Sequence, residues 1–175
     1  MLIKMALFER NKNIKIDLIE KGLLKVETSM LDNIHHITTI FHVSFPKKEI
    51  IHAEADFRRA PYVGVCRQTS NLMKNLIGLK IRSKFTQKVI EAIGEKKGCH
   101  HLVDLTLEMP KGLMQFLVKS QNLPLKEYIN DASMLREKIL EAYPQITDMC
   151  WAYNGKNQHL FTKDTKCGLQ EDLAI

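Results

Sequence analysis

Hydrophobic and polar residues alternate along the first third of the chain. A period of two places the apolar side chains on one face of a β-strand and the polar ones on the other. The segments with this character are Ile14–Lys21, Leu24–Met30, Ile37–Phe45 and Ile51–Phe57. Because short links at Gly22 and Pro46 join consecutive segments, the pattern predicts an antiparallel meander of about four strands with one apolar face.

The spacing of apolar residues changes to three or four positions after about Cys66, which is typical of helices. A first helix has the apolar stripe Leu72, Met73, Leu76 and Ile77, and Gly78 is suited to cap its C-terminus. A second helix is predicted at Phe85–Ile93 and ends at Gly94. A third begins near Gly98, and Pro110 should kink or break it. A fourth is predicted at Asp131–Ala142, where Tyr143 and Pro144 stop it.

Strands that precede helices in the chain predict an α+β fold, with about four helices packed on the apolar face of the sheet. Repeats, low-complexity tracts and linker-like segments are absent from the sequence. We therefore predict a single domain over residues 1–162, followed by a flexible C-terminal tail over 163–175.

The composition is that of an ordinary globular protein, since 45% of the 175 residues are hydrophobic and 26% are charged. The sequence has no apolar run near the roughly 20 residues that cross a bilayer. The N-terminal stretch is interrupted by charge too early for a secretory signal. We therefore expect a cytoplasmic protein without a membrane partner.

The net charge of +6 is concentrated in the segment Arg58–Lys97, where ten basic residues stand against Glu91 and Glu95. Such a basic face can attract an acidic protein partner or a small anionic, phosphorylated ligand. Nucleic acid is disfavoured as a partner, because few aromatic residues interleave with the basic ones. The candidate anion-binding residues are Arg58, Arg59, Arg67, Lys96 and Lys97.

The stretch KKGCHHLVDL, residues 96–105, places a thiol and two imidazoles at the predicted start of a helix. Free N–H groups, the helix dipole and the two lysines would stabilise a thiolate at Cys99. His100 and Asp104 lie four positions apart, on one helix face, so the carboxylate could orient that imidazole. His101 points about 100° away from His100. The alternative is that Cys99 is merely packed and that the histidines are solvated residues of the first turn.

Cys66 and Asp32 are the further candidates for a shared site. Cys66 closes the loop PYVGVC before the first predicted helix, and it would meet Cys99 if both helices start at the same end of the sheet. Asp32 follows the second predicted strand and precedes His35 and His36. It is either a weaker metal ligand or a turn residue that bonds its own backbone.

The run from AEADFRRAPYVGVC through LIGLKI to KKGCHHLVDL resembles the uncharacterised DUF family 2889, whose hallmark is Gly-Cys-Thr-His-Leu. Gly98, Cys99, His101 and Leu102 fall on this motif, and His100 replaces its threonine. The family name implies no activity. A fainter similarity is to iron–sulfur scaffold proteins of the NifU type, but a cysteine is missing near Asp32, and the late motif reads Cys-His where the scaffolds read His-Cys.

These observations support three hypotheses about function. The first is a metal- or iron–sulfur-handling accessory protein that binds zinc or a cluster through Cys66, Cys99 and His101 (or His100), with Asp32 as a weaker ligand. The second is an enzyme in which Cys99 is the nucleophile, His100 the base and Asp104 the residue that orients it. The third is a non-catalytic module that binds an acidic partner or a phosphorylated ligand through the basic face.

Overall fold

A computed structural model describes residues 6–120, 131–162 and 165, with the backbone alone for 117–120. The chain forms two compact units, residues 1–114 and 115–175, which are described separately below. Of the predicted tail, only Thr165 lies within the described residues. The single domain over 1–162 stays a prediction.

The first unit begins with the predicted meander. The strands β1 (Arg10–Glu20), β2 (Leu23–Asp32), β3 (His36–Ser44) and β4 (Glu49–Arg59) pair antiparallel in the order of the sequence. The turn from β1 to β2 uses Gly22 at a φ of 81°, which a residue with a side chain rarely adopts. The turn from β3 to β4 contains Pro46. The α+β fold predicted from the sequence is therefore confirmed.

Helices follow the sheet along the chain. They are α1 (Val63–Cys66), a 3₁₀ helix (Arg67–Leu76), α2 (Phe85–Ile93), a short 3₁₀ helix (Glu95–Lys97) and α3 (His100–Ser120). The helix α3 continues through Pro110, so the proline does not break it. Gly78 follows the long 3₁₀ helix at a φ of 85°, as predicted for a C-terminal glycine, and Gly94 is the C-cap of α2.

The first predicted helix differs from the expectation in two respects. It is mostly a 3₁₀ helix, in which residues three apart lie above one another, so Met73 and Leu76 share the buried face. Ile77, predicted as core, is exposed, because the helix ends at Leu76 and the backbone of Ile77 is already extended. The helical turns also begin earlier than expected, because Tyr62 O accepts from the N–H of Cys66 at 2.8 Å. Cys66 consequently ends α1 and is also the N-cap of the 3₁₀ helix that follows, so the predicted helix start near Cys66 is preceded by one further turn.

The core of the first unit lies between the sheet and the helices. The side chains that are fully buried are Phe41, Phe57, Leu24, Met30, Ile37, Ile50, Met73, Leu76, Ile93, Leu102, Leu105 and Met109. The helix α3 packs closely on β1, since a side chain at Gly112 would collide with Ile14. A buried polar contact also joins helix and sheet, because Thr28 Oγ1 donates to the Leu105 carbonyl at 3.0 Å.

The second unit contains α4 (Ala132–Ala142) and the 3₁₀ helices Pro144–Ile146, Trp151–Tyr153 and Gly155–Leu160. Asp131 caps α4 by accepting from the N–H of Met134 at 3.0 Å. Arg136 is buried and donates to the carbonyls of Ala152 and Asn154, which ties α4 to the segment after it. The helix predicted at 131–142 is confirmed.

Candidate functional site

One end of the sheet gathers charged and imidazole side chains around the buried carboxylate of Asp32. This residue ends β2, and its side chain is fully buried. Its Oδ1 accepts from the backbone N–H groups of Ile34 at 2.7 Å and His35 at 2.6 Å. Its Oδ2 accepts from Arg10 Nε at 2.7 Å. Asp32 thus makes the turn hydrogen bonds that were one of its two predicted roles.

These contacts determine the charge of Asp32. Burial alone would raise the pKa of the carboxyl group. The hydrogen bonds from the His35 and Ile34 N–H groups and from Arg10 outweigh burial and hold the pKa of Asp32 well below its usual range. The residue is therefore a buried anion whose oxygens face donors.

The turn also positions the imidazole of His35. Its Nδ1 lies 3.3 Å from Asp32 Oδ1, and the Asp32 N–H donates to the His35 carbonyl at 2.9 Å. Because an ionised carboxylate only accepts, the proton of a neutral His35 belongs on Nδ1, which leaves Nε2 as the ring's acceptor.

His35 meets His101, the second residue of α3. The two ring centroids are 4.2 Å apart with the planes tilted by 44°, and we call these residues the inner histidine pair. Burial lowers the pKa of His101, and the neighbouring His35, Arg10 and His100 lower it further. The His101 imidazole is therefore neutral at neutral pH, with a free lone pair.

The start of α3 is held in place by a close backbone approach. A side chain at Gly98 would collide with the carbonyl of Ile93, which accepts from the Cys99 N–H at 2.9 Å. Cys99 directly precedes α3, and its own carbonyl accepts from Val103 at 3.1 Å. The glycine of the GCHHL motif thus allows the turn that presents Cys99 and His101.

The remaining predicted site residues are distributed as follows. Cys66 and Cys99 are half-buried free thiols, and Cys150 is an exposed one. Asp104 lies 2.5 Å from Lys12 Nζ, while His100 is exposed at the start of α3. Across residues 6–120, 131–162 and 165, no three His, Cys, Asp and Glu side chains are arranged to hold a metal ion. The Cys99–His100–Asp104 enzyme stays a prediction.

The candidate anion-binding residues separate into two kinds. The three arginines already have partners: Arg58 contacts Asp56, Arg59 donates to the Asp32 carbonyl, and Arg67 donates to the Phe57 carbonyl. Lys96 and Lys97 instead line a surface depression together with Glu95. A role of the basic face in binding a partner stays a prediction.

Two residues of this site were missed by the sequence-based prediction, namely Arg10 and His35. Arg10 stands directly opposite Asp32 in the register of β1 and β2. The predicted strand began at Ile14, so Arg10 fell outside it. The register shifts by one residue between Leu18 and Glu20, so extending the pairing from the turn at Gly22 would have placed Asn11, and not Arg10, opposite Asp32.

The chain was compared with protein families, with curated proteins and with solved structures. The searches of the curated proteins and of the solved structures found no match. They therefore give no support to the similarity with NifU-type scaffolds. In the part of the chain that the structure describes, no helix has the length and apolar character needed to cross a membrane. The family model described as "Protein of unknown function (DUF2889)" matches residues 8–115, more than half of the chain, and the protein therefore belongs to this family.

Proposed function

We propose that the protein is a metal-handling accessory protein that binds a first-row transition-metal ion, such as Zn²⁺, at the inner histidine pair. The observation that carries this proposal is the 4.2 Å separation of the His35 and His101 rings, with the Asp32 carboxylate behind His35. Metal-bound histidines commonly donate their second ring N–H to a carboxylate in this way, which fixes the ring and its tautomer.

The separation of the rings is close to that of two imidazoles bound to one ion. Zinc–nitrogen bonds are about 2.0–2.1 Å long, so two imidazoles at adjacent coordination positions have their centres about 4.5–5.2 Å apart. The observed 4.2 Å requires only a small rotation of the rings to admit an ion. His35 would bind through Nε2, because its Nδ1 faces Asp32.

The electrostatics of the site favour a neutral imidazole at His101. A metal ion must compete with protons for imidazole nitrogens, and the lowered pKa of His101 weakens that competition at this ring. The positive charge of Arg10 lies nearby, but its ion pair with Asp32 offsets it. Asp32 supports the site by orienting His35, since its oxygens already accept from other groups.

Two imidazoles leave the other coordination positions of the ion open. Structural zinc sites have four protein ligands, whereas sites with fewer keep positions for water or for an incoming ligand. An ion held in this way exchanges readily, which suits a protein that receives and passes on a metal. Cys99, two residues before His101, is the thiol we propose for a third position, and Cys66 remains a predicted ligand.

The experiment is a calorimetric titration of metal-free protein with Zn²⁺, repeated with Co²⁺ and recorded by visible absorption. We expect His35→Ala and His101→Ala each to weaken binding at least about ten-fold, because each removes one ligand. The matched controls are His36→Ala and His159→Ala, which remove an imidazole elsewhere and should leave binding unchanged. Equal Zn²⁺ affinity in wild type, His35→Ala and His101→Ala would overturn the proposal.

Two further arms concern the cysteines and the cluster alternative. If the Cys99 thiolate binds the ion, Cys99→Ala should remove the thiolate-to-Co²⁺ charge-transfer band in the near ultraviolet. Cys150→Ala, which removes an exposed thiol, is the control. Protein purified without oxygen should lack the visible absorption of an iron–sulfur cluster. A cluster spectrum that disappears in Cys66→Ala and Cys99→Ala would replace zinc with iron–sulfur chemistry.

A further inference from the structure

We propose a second transition-metal site on the solvent-facing side of the sheet, formed by the pair His42 and His52, with Glu54 within reach of a further position after a rotation of its side chain. His42 of β3 and His52 of β4 are direct cross-strand partners. Their ring centroids are 4.9 Å apart and their planes are tilted by 38°. We call these two residues the outer histidine pair. It is separate from the inner histidine pair and does not depend on the function proposed for that pair.

The outer histidine pair has the spacing that an ion requires. Two imidazoles at adjacent coordination positions have their centres about 4.5–5.2 Å apart, and the observed 4.9 Å lies within this range. The two strands fix this spacing, because the rings project from opposed positions of a hydrogen-bonded sheet. The ion would therefore meet two ligands that are already arranged, with little loss of side-chain entropy.

Glu54 is the side chain that we propose for the third position. It lies two positions after His52 on β4, so both side chains project from the same face of the sheet. Its Oε2 is 3.5 Å from His52 Nε2, and its side chain is 56% exposed. The carboxylate is not already arranged around an ion, and it reaches the third position by rotating within solvent. Two imidazoles with one carboxylate suit iron, cobalt, nickel, copper and zinc.

The surrounding charges favour a cation at this surface. Lys25 of β2 is the cross-strand partner of His42 on the other side. Its ammonium lies 3.7 Å from Glu27, which offsets its charge. Asp17 of β1 in turn stands opposite Lys25 and forms an ion pair with Lys15 at 2.9 Å, so these charges also offset each other. The carboxylate of Glu54 therefore leaves the neighbourhood with an excess of negative charge, which attracts a divalent ion.

The test counts Zn²⁺ ions by calorimetry on the full chain. Wild type should bind two equivalents of Zn²⁺, and the outer double variant His42→Ala/His52→Ala should bind one. The inner double variant His35→Ala/His101→Ala should also bind one. If the outer double variant binds as many ions as wild type, the inference fails. If the outer double variant loses the only bound ion, the inference stands and the function proposed for the inner histidine pair fails.

Two additional measurements identify the ligands. Imidazole nitrogen signals of His42 and His52 in NMR spectra should shift on addition of Zn²⁺, and unchanged signals would overturn the site. Glu54→Gln should weaken the outer site at least three-fold, while Glu49→Gln, at the start of the same strand, should leave it unchanged. Equal affinity in Glu54→Gln and wild type would overturn the assignment of the carboxylate. Since substitution to alanine could disturb the strands, His42→Gln/His52→Gln provides a second test of the same loss.

Discussion

Arg10 and Asp32 join the beginning of β1 to the end of β2. The guanidinium Nε donates to Asp32 Oδ2 at 2.7 Å, and the two residues are opposed in the strand register. The Asp32 side chain is fully buried, whereas Arg10 is about one-third exposed. A buried carboxylate is stable only when its hydrogen bonds are complete, so this pair and the turn N–H groups hold the site together.

The first prediction concerns the loss of this charge. Asp32→Asn should lower the free energy of unfolding by about 2–4 kcal/mol, because it leaves Arg10 without an anion and places an amide nitrogen among donors. Urea denaturation measures the change. Asp17→Asn is the control, since Asp17 forms an ion pair with Lys15 at the surface and should cost less than about 1 kcal/mol. Equal losses of stability in Asp32→Asn and Asp17→Asn would contradict the role of Asp32 as a buried anion that pairs with Arg10.

The second prediction concerns acid. The pKa of Asp32 is lowered in the folded protein, so its contribution to stability is fully present above the unfolded value of about 4. The contribution declines as the pH falls below that value. The stability difference between wild type and Asp32→Asn should therefore be constant from pH 7 to 5 and narrow by about 1 kcal/mol by pH 3. A difference that is unchanged at pH 3 would contradict the lowered pKa.

The third prediction concerns His101. Its pKa is lowered by burial and by the nearby His35 and Arg10, so its ring signals in NMR should titrate below about pH 6.5. A base with a lowered folded pKa contributes stability above its unfolded value, and that contribution is lost as the pH falls through the folded value. Arg10→Gln should move the titration upward. A midpoint above 6.5 in wild type would be contrary to the burial of this ring.

The sequence predicted the fold well because strong local signals agreed with one another. Alternation in four segments and glycines or proline at the links specify a meander, and the register then follows from the apolar face. The first helix was less predictable. Its residues allow either an α-helix or a 3₁₀ helix, and packing against β4 and α2 decides between them. Ile77 was assigned to the core because the apolar period was continued through it, whereas the helix ends at Leu76 and Ile77 is extended.

The candidate site was predictable only in part. The helix start at Cys99 and His101 follows from local sequence, and so does the turn at Asp32. The meeting of His35 with His101 does not, because it depends on how α3 lies across the end of the sheet. Arg10 was missed because the residues before Ile14 are weak β-formers, and pairing with β2 overrides that preference.

The fourth prediction tests the glycine that precedes Cys99. Gly98→Ala should lower the free energy of unfolding by about 2–4 kcal/mol, because the new methyl group would collide with the Ile93 carbonyl. It should also move His101 and weaken Zn²⁺ binding at the inner histidine pair. Gly64→Ala is the control, since nothing lies within 4 Å of a side chain built there. A stable Gly98→Ala protein would show that the backbone can relax away from Ile93.

The last prediction concerns the two buried threonines that connect the sheet to α3. Thr28 Oγ1 lies 2.6 Å from Thr39 Oγ1 and donates to the Leu105 carbonyl. A hydroxyl has one proton, so Thr39 must be the donor to Thr28. Thr28→Val therefore leaves the Thr39 hydroxyl and the Leu105 carbonyl without this partner, whereas Thr39→Val removes one donor only. We expect Thr28→Val to cost about 2–3 kcal/mol and Thr39→Val about 1 kcal/mol.

A double-mutant cycle by urea denaturation separates this network from simple packing. Once Thr28 is valine, the Thr39 hydroxyl is buried without its partner, and replacing it as well should cost little or restore stability. The double variant should therefore be less destabilised than the sum of the single variants by about 1 kcal/mol. Thr38→Val, on the solvent-facing side of β3, is the control and should change stability by less than about 0.5 kcal/mol. Additive effects would show that the two hydroxyls are not coupled. A larger loss for Thr39→Val than for Thr28→Val would contradict the assignment of Thr39 as the donor to Thr28.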